Sequence, residues 1–183
     1  MDHITPDYVR NLNSYTDSFL CSVTANIFHI KFIKFRVRDL DSETVLFEVE
    51  EEKTEETEKN ANQVETDEER LIRYHLGPDF LDLKNLGTQL TFTVGDKPVK
   101  NLLMIERHYF KDKLIKSFEF SFDFCIPNST NEWETLYTIP SIDEELKEQM
   151  INSPWETKSD SFYFVEGKLV MHHKAIYNYS YSD

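Results

Sequence analysis

From Ser117 to Ile126 every second residue is large and apolar: Phe118, Phe120, Phe122, Phe124 and Ile126 fall on one parity, with Ser117, Glu119, Ser121 and Asp123 between them. A period of two is the period of a strand, since a helix would scatter these rings around its whole circumference. A strand carrying that much aromatic surface on one face must bury it against a second layer. The preceding run, Leu102 to Phe110, also reads as a strand, and Lys111-Asp112-Lys113 supplies the turn between the two. The chain is therefore expected to be built around a sheet with an aromatic inner face.

The same reading extends along the chain. Phe28, Ile30 and Phe32 alternate and then change phase to Ile33, Phe35 and Val37, which predicts a strand with a bulge near Phe32. Val45, Phe47 and Val49 alternate after the turn at Asp39 to Glu43 and complete a hairpin. Further strands are expected at Ile72 to Leu76, Leu90 to Val94, Trp133 to Ile139, Ser159 to Glu166 and Leu169 to Tyr181. Ser141-Ile142-Asp143-Glu144 reads as a capping box that opens one short helix with Ile142, Leu146 and Met150 on one stripe. Thr5-Pro6-Asp7 can cap a helical turn in an amino-terminal arm, residues 1–20. The four glycines are placed at turns. About eight strands in a chain of 183 residues predict a single antiparallel β-sandwich, all-β apart from that helix, over residues 21–183.

Glu48 to Glu69 holds eleven acidic residues against two lysines, a local charge of −9 that leaves −5 of the chain's −14 for everything else. This acidic stretch, centred on residues 50–69, lacks aromatics and reads as a surface loop. The overall charge opposes phosphate backbones and anionic membrane surfaces, so neither nucleic acid nor a bilayer is an expected partner. No run of about 18 apolar residues is present and no secretory pattern opens the chain, which leads us to expect a cytoplasmic protein without a membrane span. Cys21 and Cys125 are too few for a disulfide framework or a cysteine-rich metal site.

Enzyme signatures are lacking. No glycine belongs to a phosphate loop, and no serine carries the nucleophile-elbow glycines. Glu106 and His108 lie two apart on one strand face, a spacing that suits acid and base work or two metal ligands, but the sequence offers no third partner. His172 and His173 point to opposite faces of a regular strand and do not share an ion. We therefore expect no catalytic residue, metal or cofactor. The phenylalanine ladder beside Tyr74, Glu106 and His108 can serve either as ordinary core or as an apolar slot with a polar mouth.

The letters themselves narrow the choice. Arg73-Tyr74, Phe92-Thr93-Val94-Gly95-Asp96-Lys97-Pro98-Val99, Met104-Ile105-Glu106-Arg107-His108-Tyr109-Phe110, Phe124-Cys125-Ile126-Pro127, Glu156-Thr157-Lys158-Ser159-Asp160-Ser161-Phe162-Tyr163-Phe164-Val165 and Leu169-Val170-Met171-His172-His173-Lys174-Ala175 form an unusual series. From about Asp17 to Tyr181 the chain closely resembles the uncoordinated (UNC) family of myristoyl-binding lipid chaperones, relatives of the prenyl-binding GMP-phosphodiesterase delta subunit. The resemblance implies an immunoglobulin-like sandwich that holds the myristoyl group of N-terminally acylated proteins between its sheets. It implies that Tyr74 and Glu106 meet the lipid-bearing glycine with His108 beside them, and that Ser161 and Tyr163 lie near the pocket. Phe80, Phe118, Phe120 and Phe122 are the implied lipid contacts. It further implies cargo such as G-protein alpha subunits and ciliary proteins, with release by a GTP-bound Arf-like small GTPase and a cytoplasmic or ciliary location. A prenyl carrier, of the delta-subunit or Rho-inhibitor type, is the alternative.

Overall fold

The computed structural model describes residues 3–51 and 66–181, so the greater part of the acidic stretch at 50–69 lies outside the described residues. Among the described residues nine strands form two sheets. Strands β1 (Lys31–Asp39), β2 (Thr44–Glu50), β4 (Asn85–Thr93) and β7 (Thr130–Thr138) make a four-stranded sheet in the order β2-β1-β4-β7. Strands β3 (Leu71–His75), β5 (Val99–Phe110), β6 (Lys113–Cys125), β8 (Thr157–Val165) and β9 (Lys168–Asn178) make the other, in the order β3-β9-β8-β5-β6. Two packed sheets with alternating inner faces are the sandwich that the sequence pattern predicts.

Local features follow the sequence closely, with four informative departures. The β1 pairing slips between Phe32 and Lys34, where the hydrophobic phase changes, so the expected bulge is present. The pairing of β3 with β9 is parallel, and among the described residues it is the one parallel pair in an otherwise antiparallel set. The phenylalanine ladder runs inward only as far as Phe122; Phe124 and Ile126 are exposed at 48% and 66%. The pleat changes phase there because Asn101, on the neighbouring β5, adopts φ 53°, and Val99 and Cys125 turn into the core instead. Gly87 does not lie in a turn but inside β4, where a Cβ would stand 2.9 Å from Leu40 Cδ2. Helix α2 (Glu144–Asn152) is capped by Asp143, whose carboxylate accepts from the Leu146 amide at 2.7 Å; the cap is not Ser141.

One end of the sandwich is filled. Phe92, Trp133 and Phe122 pack ring against ring at 5.5–6.3 Å, with Leu102, Val99 and Val165 beside them. The other end is flanked by α2 and the turn at Pro78–Asp82, and there the inner face changes from hydrocarbon to tyrosine, glutamate and lysine.

The amino-terminal segment is a third layer. Thr5 caps helix α1 (Pro6–Arg10), as the sequence suggests, and Val9 is fully buried against Ile105, Phe162 and Phe164 on the outer face of the five-stranded sheet. Farther along, Thr16 meets a buried carboxylate: its amide and hydroxyl both bond Asp160, at 2.9 and 3.0 Å. Lys174 Nζ bonds Asp160 at 2.9 Å and the Thr16 carbonyl at 2.6 Å, and its charge lies 3.7 Å from the centre of the Tyr15 ring. His172 touches Asp160 through Nε2 at 2.8 Å and accepts the Leu20 amide on Nδ1 at 2.9 Å. Because Leu20 is the donor, Nδ1 carries no proton and the ring is neutral.

Removing Asp160 strands a buried cation against that neutral ring. Asp160→Ala should lower unfolding free energy by about 3–5 kcal/mol, the usual cost of breaking a buried ion pair, read as a lowered urea midpoint. A midpoint equal to that of the parent would show that the network does not hold the third layer.

Candidate lipid-binding slot

Alternation along β5 aims Met104, Glu106 and His108 between the sheets, while Ile105, Arg107 and Tyr109 face the amino-terminal layer. Glu106 pairs across the sheet with Phe118 on β6 and Ser161 on β8, so its carboxylate is set among aromatic and hydroxyl neighbours by strand register alone. The carboxylate receives His108 Nε2 at 3.2 Å and the Ser161 hydroxyl at 3.4 Å, and Tyr137 from the opposite sheet also bonds it. Glu106, His108, Lys116, Phe118 and Tyr137 line a cavity of about 110 Å³ with Phe35, Phe47, Tyr74 and Phe80. A smaller cavity of about 40 Å³ lies beneath α2 and shares Phe80, Leu86, Lys116, Ile139 and Tyr179 with the first.

Aromatic contacts build the walls. Tyr74 stacks on Tyr177 at 5.5 Å with planes 12° apart, and Tyr177 stacks on Tyr179 at 6.1 Å. Phe118 meets Tyr137 edge to face at 4.7 Å, and Phe120 meets the same ring at 4.8 Å. Nothing among the described residues groups three metal-ligating side chains.

The expected site residues divide by position. Tyr74, Phe80, Glu106, His108 and Phe118 line the cavity together. Ser161 stands one hydrogen bond behind Glu106. Phe120 packs beside Phe118 and Tyr137, Phe122 packs on Phe92 and Trp133, and Tyr163 is buried against Phe32 and His173. These last three belong to the filled part of the core and not to the cavity wall. Lys116, Tyr137, Tyr177, Phe35 and Phe47 are wall residues that the sequence reading leaves unassigned. Lys116 was legible, since it shares the parity of Phe118 and is the one charged residue on the inward face of that strand.

Burial raises the cost of ionising Glu106, but the charges and hydrogen bonds of His108, Tyr137 and Lys116 outweigh it, and its carboxyl lies below the usual range. Burial pushes the His108 imidazole and the Lys116 ammonium down, with Glu106 offsetting part of each. Burial and the Glu106 charge push the Tyr74 phenol up to about 12. At neutral pH the slot therefore holds an anionic glutamate, a neutral histidine and neutral phenols.

A family model described as GMP-PDE, delta subunit matches residues 24–179. The chain is 51% identical over 178 residues to protein unc-119 of Caenorhabditis elegans, covering 97% of this chain and 80% of that one. It is 48% identical to protein unc-119 homolog B-B of Xenopus laevis, covering 98% and 75%, and 45% identical to protein unc-119 homolog B of Homo sapiens, covering 98% and 73%. The chain belongs to the GMP-PDE delta subunit family, within its unc-119 group: lipid-binding carriers that are not enzymes. No helix among the described residues is long and apolar enough to cross a membrane.

Acid should loosen this fold before it protonates any ordinary carboxylate. His108 and His172 have folded pKa values below the ordinary 6.5, so the unfolded chain binds protons that the folded chain refuses. Stability is then highest above pH 6.5 and falls as pH drops below it; Asp160 and Glu106, both held low, add a further loss at lower pH. The urea midpoint should fall between pH 7.5 and pH 5.5. A midpoint that is flat or rises over that interval contradicts the neutral-histidine assignment.

Proposed function

We propose that this protein takes up the N-terminal myristoyl group of acylated proteins, G-protein alpha subunits and ciliary cargo among them, solubilises them and delivers them to membranes or cilia. The observation that carries this reading is an ionised Glu106 buried in a slot of aromatic rings. A carboxylate so placed has acceptor capacity to offer, and the amide N–H that joins a fatty acyl chain to glycine is a donor set directly beside hydrocarbon. A prenyl thioether brings no such donor to the same depth.

Magnitudes favour a carrier. A single myristoyl chain holds a protein to a bilayer only marginally, so a dry protein slot competes with the membrane. Burial of fourteen carbons contributes about 10 kcal/mol at ~0.8 kcal/mol per carbon, before ordering costs. The cavity of about 110 Å³ is below the ~300–1,000 Å³ of most ligand pockets. Uptake therefore parts the sheets, with the rings of Phe118, Phe120 and Tyr137 giving way to the chain. A slot that must open to load is also one that a partner can open to unload. A GTP-bound Arf-like GTPase that prefers the open conformer lowers cargo affinity by the same factor by which cargo lowers its own. The cytoplasm and the cilium are the compartments in which such a cycle operates.

Glu106→Gln keeps the size of the side chain and removes its charge. Binding of a fluorescent N-myristoylated glycine peptide should weaken about 10- to 100-fold, the range for a hydrogen bond to a charged group, and Tyr74→Ala should weaken it in the same direction with the melting transition retained. Unchanged affinity in both variants would remove Glu106 and Tyr74 from the site.

A further inference from the structure

Lys116 has no assigned task and an unusual position. It stands opposite His108 in the β5–β6 pairing, on the same face of β6 as Phe118, and lines both the main cavity and the smaller one beneath α2. It is one of the five residues that the two cavities share. Its ammonium lies 5.8 Å from the centre of the Phe118 ring and in the field of Glu106, but donates no hydrogen bond to any described residue. An ammonium has three donors; that of Lys116 is not sealed in the core, and its donors stand at the cavity wall without a protein partner among the described residues.

Glu106 shows the complementary imbalance. Its two oxygens offer about four acceptor positions, and His108, Ser161 and Tyr137 occupy three. The slot thus presents one open acceptor and, one cross-strand step away, a set of open donors. We propose, on the carrier reading given above, that Lys116 is a second polar reader of the cargo: its ammonium takes a carbonyl oxygen flanking the acylated glycine while Glu106 takes the adjoining N–H.

This pairing selects by bond type as well as by chain length. An acyl amide carries an N–H and a C=O next to hydrocarbon and satisfies both groups. A thioether-linked chain satisfies neither. A free fatty acid gives Lys116 a carboxylate but sets that charge against Glu106. The same hydrocarbon is thus accepted or refused according to how it is attached.

The test uses the full chain and two peptides of one sequence: one N-myristoylated on glycine, the other N-acetylated and carrying a fourteen-carbon chain through a cysteine thioether. The parent protein should prefer the acyl amide by tenfold or more. Lys116→Met, which keeps the aliphatic stem, should weaken the acyl amide roughly tenfold and leave the thioether peptide unchanged, so the preference collapses. Equal loss on both peptides, or no loss on either, overturns the role of Lys116 while acyl-dependent binding by the parent keeps the carrier reading. Failure of the parent to bind the myristoylated peptide at all removes that reading, and the role of Lys116 with it. Should Lys116→Met not fold, the lysine ε-carbon resonances of the parent decide: the Lys116 signal should shift on adding the myristoylated peptide and not on adding the thioether peptide. A signal unmoved by either overturns the proposal.

Discussion

The pleat of β5 is the constraint on which the rest of this molecule depends. One strand at the interior of a five-stranded sheet sends Glu106 and His108 to one face and Arg107 and Tyr109 to the other. Both faces are covered, the inner by the second sheet and the outer by the amino-terminal layer, so each polar side chain must find partners within the protein. Asp160 and His172, on β8 and β9, answer that demand outside with Thr16, Leu20 and Lys174. Glu106 answers it inside with His108, Ser161 and Tyr137. The outer cluster satisfies its carboxylate and locks a layer in place. The inner one keeps an open acceptor beside an ammonium without a hydrogen bond among the described residues, and the proposed role in binding rests on that difference.

Much of this was legible in the sequence because strands declare themselves by parity. The ladder at Phe118, Phe120 and Phe122, the phase slip at Phe32 and the hairpin at Asp39 to Glu43 all follow from alternation. What alternation could not show is where a pleat reverses. Asn101 takes a left-handed conformation whose consequence falls on the neighbouring strand, at Phe124. Nor does parity show which strands pair: the parallel contact of β3 with β9 is set by packing far along the chain. The site was half visible. Tyr74, Glu106 and His108 announce themselves as polar residues among apolar ones, and Lys116 shares the parity of Phe118, whereas Tyr137 enters only because the opposing sheet brings it across.

The filled end and the open end of the sandwich explain how one core serves both stability and uptake. Phe92, Trp133 and Phe122 form an aromatic plug whose one polar group is the Trp133 indole N–H. Nearer α2 the same layer holds the stacked Tyr74, Tyr177 and Tyr179, which line the cavity. On the proposed carrier reading, hydrophobic gain draws the lipid in and the cost of parting the sheets limits how firmly it is kept. A carrier needs both.

The most direct test of the account is a calorimetric competition between N-myristoylated and farnesylated peptides at equal concentration, with the unacylated peptide as reference. The account requires myristoyl-dependent, submicromolar binding with a negative heat-capacity change, and little displacement by the farnesylated peptide. Tighter binding of the farnesylated peptide would mean that the slot reads hydrocarbon and not the acyl amide, and would contradict the role given to Glu106.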